Sequence, residues 1–416
     1  MGYFQSARPG TFAGPAVAAR HIEGLLAIHA AFLGRASLAV RPVAEDKNEE
    51  GTMMKMHPLK GPNRLKLGVF SANADGGLAI TDVPERWAAG WQDNLTAAQI
   101  ADRAGLEFFL PIARWRGFGG KNRVREWSFE TFTWAAALAA ATENVGLFMT
   151  VHVPLVHPLY AAKSLATVDH ISQGRAGLNI VCGWNPKEFG MFGIPLVEKG
   201  YDQAAEWLEI VERLYASDEP IDYAGTYYTL KEAVSRPASL QAPRPVTMNA
   251  AFGGPGRDFA AASCDYLFTT FTEIGDAGKH VADIRERAEK KGRDVGVYTV
   301  CHVVCRETQQ EAEDYYIRYA VTMADHAAVD QHMAGKKEFS QSHDRDAYDR
   351  YRQRFAGGAG SYPLIGTPER IAEEMIAISA QGYAGIALSF VNYTQELPYF
   401  CDRVLPLLKT AGLRVE

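Results

Sequence analysis

Short apolar runs alternate along this chain with longer segments in which apolar residues recur every three or four positions. The short runs are typical of buried parallel strands, and the longer segments are typical of helices with one buried face. From residue 64 onward this pattern predicts eight strands. They span residues 65–71, 108–113, 144–154, 176–184, 246–251, 266–271, 295–305 and 385–390.

Helical signals fill the gaps between the predicted strands. Residues 93–104 form the first such segment, and Trp207 and Leu214 belong to a later one with helical spacing. Thr367 is a predicted helix N-cap, and Pro368 takes the first helical position after it. Eight strands, each followed by a helix, predict an α/β fold of the (β/α)8 barrel type. A doubly wound open sheet is the alternative.

Two segments interrupt the regular alternation. Residues 185–199 follow the fourth strand and are rich in Gly, Pro and aromatic residues, and residues 323–362 follow the seventh strand. Long insertions at the carboxyl ends of barrel strands often shape or cover an active site. We therefore expect residues 323–362 to be a mobile lid, and a segment that contacts another subunit is the alternative.

The first 63 residues do not continue the pattern. Their Ala- and Leu-rich stretch is interrupted by charged residues, and a charge cluster follows at residues 45–50. The stretch lacks the unbroken apolar centre of a secretory signal, and its acidic residues do not fit a transit peptide. We expect residues 1–63 to be a disordered extension, followed by a barrel of residues 64–416.

Composition and charge narrow the class of protein. The 416 residues carry a formal net charge of -6 and have a pI near 6.0, which does not fit a nucleic-acid-binding surface. No apolar stretch has the length of a membrane span. Five scattered cysteines are typical of a cytoplasmic protein. Cys301 and Cys305 fit small core residues on one strand face better than metal ligands, so no metal is expected.

The predicted fourth strand contains the most informative polar residue. Asn179 lies within an apolar run, and leaving a buried amide without a partner costs roughly 1 to 3 kcal/mol. Asn179 is therefore either tied into the fold or placed to bind a ligand at the end of the strand. Thr150 and His152 share one face of the preceding strand. These neighbours favour a site, although a single strand histidine is equally well a structural residue.

Two glycine-rich segments follow predicted strands. Gly253, Gly254 and Gly256 open a predicted helix, where free backbone N–H groups are able to bind phosphate. This segment comes late in the chain, and no equivalent follows the first strand, which argues against a dinucleotide-binding domain. Residues 116–121, with the sequence RGFGGK, follow the second strand and would lie on the same face of a barrel.

No hydrolytic motif accompanies these residues. The chain has no HExxH sequence, no convincing Ser-His-Asp arrangement and no clustered carboxylates. His157, directly before Pro158, fits a helix start better than a catalytic position. We therefore expect a bound cofactor to carry the reaction.

Four motifs between residue 65 and the C-terminus resemble those of the bacterial luciferase-like FMN-dependent monooxygenases. They are RGFGGK at 116–121, FETFT at 129–133, GRAGLNIVCGW at 174–184 and GTPER at 366–370. Within the family, the chain is most similar to the branch of pyrimidine ring-opening and dibenzothiophene-sulfone monooxygenases. The resemblance implies a (β/α)8 barrel that binds FMN reduced by a separate NAD(P)H-dependent flavin reductase. It also implies use of O2 and a homodimer or homotetramer.

The resemblance assigns roles to individual residues. It implies an O2 pocket beside the flavin built from Leu110, Thr150 and Asn179. His152 stands where the pyrimidine enzymes have a small residue, which implies another substrate, and we include it among the catalytic candidates. The positions implied to bind the flavin are Ala113, Arg114, Asn179, Glu188, Tyr201, Gly253 and Gly254.

One departure from the family concerns the phosphate loop, where a serine is usual and this chain has Gly253. We expect backbone N–H groups to replace the hydroxyl and a neighbour such as Arg257 to compensate. The implied reaction proceeds through a flavin peroxide at N5 and cleaves a carbon–heteroatom bond in a heterocyclic, sulfone or halogenated aromatic substrate. A deazaflavin-dependent dehydrogenase of the same superfamily and a flavin-binding barrel without activity stay open as alternatives.

Overall fold

A computed structural model describes residues 55–196, 200–334 and 345–415 of the chain. It contains eleven strands in these ranges. They are β1 (Lys66–Phe70), β2 (Phe108–Leu110), β3 (Gly146–His152), β4 (Ala176–Val181), β5 (Ile221–Ala224), β6 (Thr229–Ala233), β7 (Val246–Ala250), β8 (Tyr266–Phe268), β9 (Gly296–Cys305), β10 (Tyr362–Gly366) and β11 (Gly385–Ser389).

Eight of these strands close into a parallel barrel in the order β1, β2, β3, β4, β7, β8, β9 and β11. Pairing of β8 with β9 and of β11 with β1 completes the ring. The predicted (β/α)8 barrel, with insertions after its fourth and seventh strands, is therefore confirmed, and the open sheet is wrong. Strand β10 pairs in parallel with the carboxyl-terminal half of β9, and β5 and β6 form a separate antiparallel hairpin.

Twelve α-helices are described. They are α1 (Trp91–Arg103), α2 (Thr131–Ala139), α3 (Pro158–Ser172), α4 (Pro186–Met191), α5 (Gly200–Ala216), α6 (Gly254–Ser263), α7 (Ile274–Glu289), α8 (Gln309–Ile317), α9 (His326–Ala334), α10 (Arg345–Gly358), α11 (Pro368–Ala380) and α12 (Tyr393–Thr410). The predicted caps are confirmed, because His157 and Thr367 accept backbone N–H groups at the starts of α3 and α11. None of the helices in the described ranges has the length and apolar character needed to cross a membrane.

Apolar side chains fill the lower part of the barrel lumen. Phe108 packs edge-on against Phe148 and Tyr298, with ring centroids 6.2 and 5.7 Å away. Further along β3 and β4, Thr150 and Asn179 lie opposite each other in register. Apolar side chains therefore pack the interior of the barrel, and polar side chains line it at the carboxyl ends of the strands. Barrel enzymes have their active sites at this end.

The expected boundary at residue 64 is wrong for residues 55–63. The Lys55 N–H donates to the Gln173 carbonyl at 2.9 Å, and Pro58–Lys60 form a 3-10 helix. Leu59 is buried in the same apolar cluster as Phe148. Because Leu59 contributes to the core, this segment belongs to the barrel. Residues 1–54, which complete the expected extension, lie outside the described residues.

The long insertion packs on loops at the carboxyl end of the barrel. Val329 from α9 and Phe355 from α10 share an apolar cluster with Ile80 and Val124. Residues 335–344 lie outside the described ranges, as do residues 197–199 of the shorter insertion. The mobility expected for residues 323–362 stays a prediction.

Candidate active site

A chain of hydrogen bonds joins β2, β3 and β4 at their carboxyl ends. The Thr150 hydroxyl lies 2.6 Å from the Pro111 carbonyl oxygen, and Asn179 Nδ2 lies 3.2 Å from Thr150 Oγ1. A carbonyl oxygen only accepts hydrogen bonds, so the hydroxyl hydrogen points to Pro111 and the amide must donate to Thr150. These donor and acceptor roles fix the orientation of the Asn179 amide.

The remaining atoms of the Asn179 amide are available to a ligand. Asn179 is only 4% exposed, and its Oδ1 has no hydrogen-bond partner in the described part of the chain. Leu110 is also buried and immediately precedes Pro111, the last member of the hydrogen-bond chain. The structure therefore brings Leu110, Thr150 and Asn179 together.

His152 lies two residues beyond Thr150 and is buried. Its Nδ1 has no hydrogen-bond partner among the described residues. Burial lowers the pKa of His152 to about 4, and the Arg114 cation adds to the effect while Glu188 opposes it. The imidazole is therefore neutral near pH 7, and it is able to exchange hydrogen bonds but carries no charge.

Glu188, in the first turn of α4, anchors the loop that follows β2. Its side chain is 1% exposed, and Oε2 pairs with Arg114 Nη1 at 3.1 Å. Oε1 accepts the backbone N–H groups of Trp115 at 2.8 Å and Arg116 at 3.2 Å. Such donors stabilise a buried carboxylate. The structure thus pairs two of the predicted flavin-binding residues directly, and Ala113 precedes them in a half-buried position.

Aromatic rings cover this ion pair. Phe118 stacks on His332 of α9 with centroids 3.6 Å apart and planes 7° from parallel, and Trp184 lies 5.9 Å from His332. The Arg114 guanidinium lies 4.9 Å from the Phe118 centroid and 5.5 Å from the Trp184 centroid. The long insertion, the RGFGGK loop and the loop after β4 therefore meet at one place.

The first turn of α6 forms a second part of the site. A Cβ atom built on Gly253 or on Gly254 would meet nothing within 4 Å, so the backbone there is open. A Cβ built on Gly256 would lie 2.6 Å from the Tyr201 hydroxyl. Burial raises the pKa of Tyr201 to about 12, so its hydroxyl stays protonated. Tyr201 thus lies beside backbone N–H groups suited to an anion.

The Arg257 side chain contacts the neighbouring helix. Its Nη1 pairs with Asp283 at 2.7 Å, and its Nη2 lies 2.7 Å from His280 Nδ1. Both partners belong to α7, so Nη1 and Nη2 tie α6 to α7, whereas Nε is buried without a partner among the described residues. The expectation that Arg257 compensates for the missing serine stays a prediction.

The two parts of the site lie on neighbouring strands. Ile180 of β4 and Asn249 of β7 are register partners, and Asn249 Nδ2 donates to the Ile180 carbonyl at 2.7 Å. This bond fixes Asn249 directly before the loop that leads into α6. The first turn of α6 follows β7, and β7 is the neighbour of β4 in the barrel. It therefore lies next to the ends of β3 and β4.

One supporting residue was not predicted. Asn73, buried after β1, donates to the Ile112 carbonyl at 2.8 Å and accepts the Ile112 N–H at 2.9 Å. It fixes the loop that contains Pro111 and Arg114. Polar residues directly after the first strand, Asn73 and Asp75, are the sequence signal that points to this position.

No group of three or more side chains in the described ranges is arranged to hold a metal ion. Cys301 and Cys305 are buried on β9 as free thiols, as expected for core residues. The site that the structure offers is built instead from amide, imidazole and ion-pair groups.

Comparisons with known proteins identify relatives of this chain. The model of the luciferase-like monooxygenase family matches residues 65–385. The FMNH2-dependent dimethylsulfone monooxygenase of Pseudomonas putida is 29% identical over 359 residues, covering 83% of this chain and 95% of that protein. Pyrimidine monooxygenase RutA of a Bradyrhizobium species is 29% identical over 368 residues, covering 84% and 99%.

A solved structure supports the fold. DmoA from Hyphomicrobium sulfonivorans has a TM-score of 0.72 at 20% identity, covering 84% of this chain and 89% of that one. The family predicted from four sequence motifs is thereby confirmed. This chain belongs to the luciferase-like monooxygenase family.

Proposed function

We propose that this protein is the oxygenase of a two-component system that uses reduced FMN and O2. Its reaction cleaves a carbon–heteroatom bond in a small heterocyclic, sulfone or halogenated aromatic substrate. The named activities of the dimethylsulfone and pyrimidine relatives support this class of reaction. The observation that carries the proposal is the Asn179 amide, which is buried and held in one orientation beside Thr150 with Oδ1 unpartnered.

The residues present fit a reduced flavin phosphate. The buried Asn179 Oδ1 needs a donor, and a reduced isoalloxazine has N–H groups that supply one. The open backbone at Gly253 and Gly254, beside Tyr201, leaves room for a phosphate. When bound, reduced FMN supplies the electrons that O2 requires.

Side chains of this protein would stabilise charge on the reacting oxygen and exclude water from the site. Asn179 Nδ2 keeps one N–H after its bond to Thr150, and this donor stabilises negative charge that develops on oxygen. The Thr150 hydroxyl hydrogen is committed to Pro111, so Thr150 acts by positioning Asn179. Leu110 and the packed lumen beneath it exclude water, which strengthens this electrostatic interaction.

We also propose the partners that such a reaction needs. A separate NAD(P)H-dependent flavin reductase would supply reduced FMN, in agreement with the FMNH2 dependence in the name of the Pseudomonas relative. A cytoplasmic location and a homodimer or homotetramer are proposed from the cysteine pattern and the family resemblance.

The test combines binding and oxygen uptake. Anaerobically reduced FMN is added to the protein, followed by oxygenated buffer and a panel of small heterocycles, sulfones and halogenated aromatics. We expect tight FMN binding and oxygen uptake that yields an oxygenated or cleaved product from at least one member. Binding of a reduced deazaflavin in place of FMN would assign the chain to the dehydrogenases, and FMN binding without any oxygenated or cleaved product would make it an inactive barrel.

A further inference from the structure

A second buried cation lies near the candidate site. Arg125 is 4% exposed, and its guanidinium donates to the carbonyl oxygens of Gly77 at 2.9 Å and Leu78 at 3.0 Å. A guanidinium has five N–H groups. Within the described ranges the Arg125 side chain makes only these two hydrogen bonds, and no carboxylate forms an ion pair with its guanidinium. Three of its donors are therefore available.

Arg175 shows how a buried arginine with a purely structural role is satisfied in this protein. It is 3% exposed and makes five hydrogen bonds, all to groups of α2, α3 and the loop before β3. Every donor of Arg175 has a partner, so its position is explained by the fold alone. The Arg125 side chain, by contrast, makes two hydrogen bonds for its five donors, so the fold alone does not explain its burial.

The charges around Arg125 are not balanced. Its guanidinium lies 5.5 Å from the Phe118 centroid, and that of Arg114 lies 4.9 Å from the same ring. Glu188 neutralises Arg114, and the nearby Asp75 is already paired with Arg86 at 3.1 Å. Burial, and then repulsion by Arg114, lowers the pKa of Arg125 to about 9. A buried cation without a counter-charge is destabilising, and a bound anion removes that cost.

We propose that Arg125, together with Arg114, binds an anionic group of the substrate, such as a sulfonate or a carboxylate. This inference rests on the proposed function and narrows its substrate class. Guanidinium groups are well suited to this role because their forked donors match the oxygens of planar and tetrahedral oxyanions. Phe118, whose ring centroid lies within 5.5 Å of both guanidinium groups, would contact the apolar part of the same molecule.

The phosphate of FMN is not the anion in question. The carbonyl partners of Arg125 follow β1, whereas the first turn of α6 follows β7. In the ring of eight strands, β1 and β7 are four positions apart and therefore opposite each other. A flavin phosphate at Gly253 and Gly254 leaves Arg125 for a second ligand.

A matched pair of probes tests the inference. Benzenesulfonate and methyl phenyl sulfone have nearly the same shape and differ in one charged oxygen against a methyl group. Each is titrated calorimetrically into the protein in the presence of oxidised FMN. We expect benzenesulfonate to bind at least about tenfold more tightly, because charge-assisted hydrogen bonds to a buried guanidinium are strong. Equal affinities would overturn the inference.

Variants locate the preference. Arg125→Met should reduce the ratio of the two affinities several-fold, to the part that Arg114 supplies, and Arg125→Lys should keep more of it because the charge remains. Arg123→Gln is the matched control, since Arg123 is an exposed cation two residues earlier. A ratio that Arg125→Met leaves unchanged, or one that Arg123→Gln lowers as much, contradicts the assignment. If Arg125→Met does not fold, Arg114→Met and Arg125→Lys decide, and both must lower the ratio.

FMN affinity, measured in the same variants, separates the two sources of an anion. It should stay the same in Arg125→Met, and a loss equal to that of benzenesulfonate would assign the anion to the cofactor and overturn the substrate role. Failure of the proposed function is a different result, namely no oxygenated or cleaved product from any member of the panel when the wild type is supplied with reduced FMN and O2.

Discussion

Asn179 donates to Thr150 through Nδ2 and leaves Oδ1 buried without a partner among the described residues. Replacing it by alanine removes both the donor for oxygen and the acceptor for the cofactor. We predict that Asn179→Ala lowers the rate of product formation by roughly 100-fold or more, as for other preorganised donors. FMN binding should persist, which equilibrium titration measures. Unchanged turnover would remove the proposed role of Asn179.

Thr150→Val tests the positioning role separately. Valine keeps the shape of threonine and removes the hydroxyl that fixes the Asn179 amide. The rate should fall by about tenfold, less than in Asn179→Ala, because the amide remains but is no longer oriented. A loss as large as that of Asn179→Ala would show that the hydroxyl itself acts on oxygen.

Three buried histidines make stability dependent on pH. Burial lowers the pKa of His57 and His302 to about 3 and that of His152 to about 4. An unfolded histidine titrates near its usual value of about 6.5, so between these values the unfolded chain binds more protons than the folded one. The stabilisation is complete above about pH 6.5 and is lost as the pH falls towards 4.

Urea unfolding at pH 7, 6 and 5 measures this loss. Each histidine should contribute roughly 1.4 kcal/mol per pH unit below 6.5. His302→Gln should make the dependence about one proton less steep, whereas His326→Gln, at an exposed position, should not change it. A free energy of unfolding that is constant from pH 7 to pH 5 would contradict the account.

The first turn of α6 begins after Gly253, the position at which a serine is usual in the family's phosphate loop. Gly253 is the N-cap, with an extended backbone and no side-chain hydrogen bond, and a Cβ there meets open space. Gly253→Ser should therefore fold normally and tighten FMN binding several-fold, on the order of one hydrogen bond of about 1 kcal/mol. Fluorescence titration with FMN checks this.

Gly256→Ser is the matched control for that change. A Cβ at this position would lie 2.5 Å from Ala251 Cβ and 2.6 Å from the Tyr201 hydroxyl. The variant should lose about 1 to 3 kcal/mol of stability and bind FMN more weakly, because the first turn must move. Similar behaviour of the two serine variants would show that the backbone around α6 adapts freely.

The segment before β1 packs against the apolar core of the barrel interior. Leu59 is buried in the lumen cluster with Phe148 and Val246. Leu59→Ala should lower the free energy of unfolding by about 2 to 5 kcal/mol, whereas Lys60→Ala, at an exposed position, should change it little. Denaturant unfolding measures both, and equal stability of the two variants would argue against a core role for Leu59.

Apolar patterning predicted the strands but not where they end. The predicted second, fourth and sixth strands each continue three residues beyond the observed ends at Leu110, Val181 and Phe268. Apolar residues such as Phe271 and Trp184 continue the pattern into loops that pack on the barrel. The hairpin of β5 and β6 was missed because about half of its residues are polar. The strand β10, YPLIG, was missed because it is short, contains a proline and follows a glycine-rich segment.

Across the barrel, the parts of the site that were predictable are polar residues within apolar strands. Thr150 and Asn179 are polar residues within apolar runs, so the sequence alone points to them. The Pro111 carbonyl that orients them does not, because its position depends on the path of a loop. Arg123 and Arg125 look alike in sequence, and only tertiary packing buries one of them. Sequence thus indicated the candidate residues, and the structure shows how their side chains are oriented.

Oxygen labelling tests the whole account most directly. The protein, reduced FMN and a substrate from the panel are mixed under 18O2, and the product is analysed by mass spectrometry. The account predicts one 18O atom per product molecule in the wild type and roughly 100-fold less labelled product with Asn179→Ala in the same time, although that variant still binds FMN. A product without label, or equal yields of labelled product from the two proteins, would contradict it.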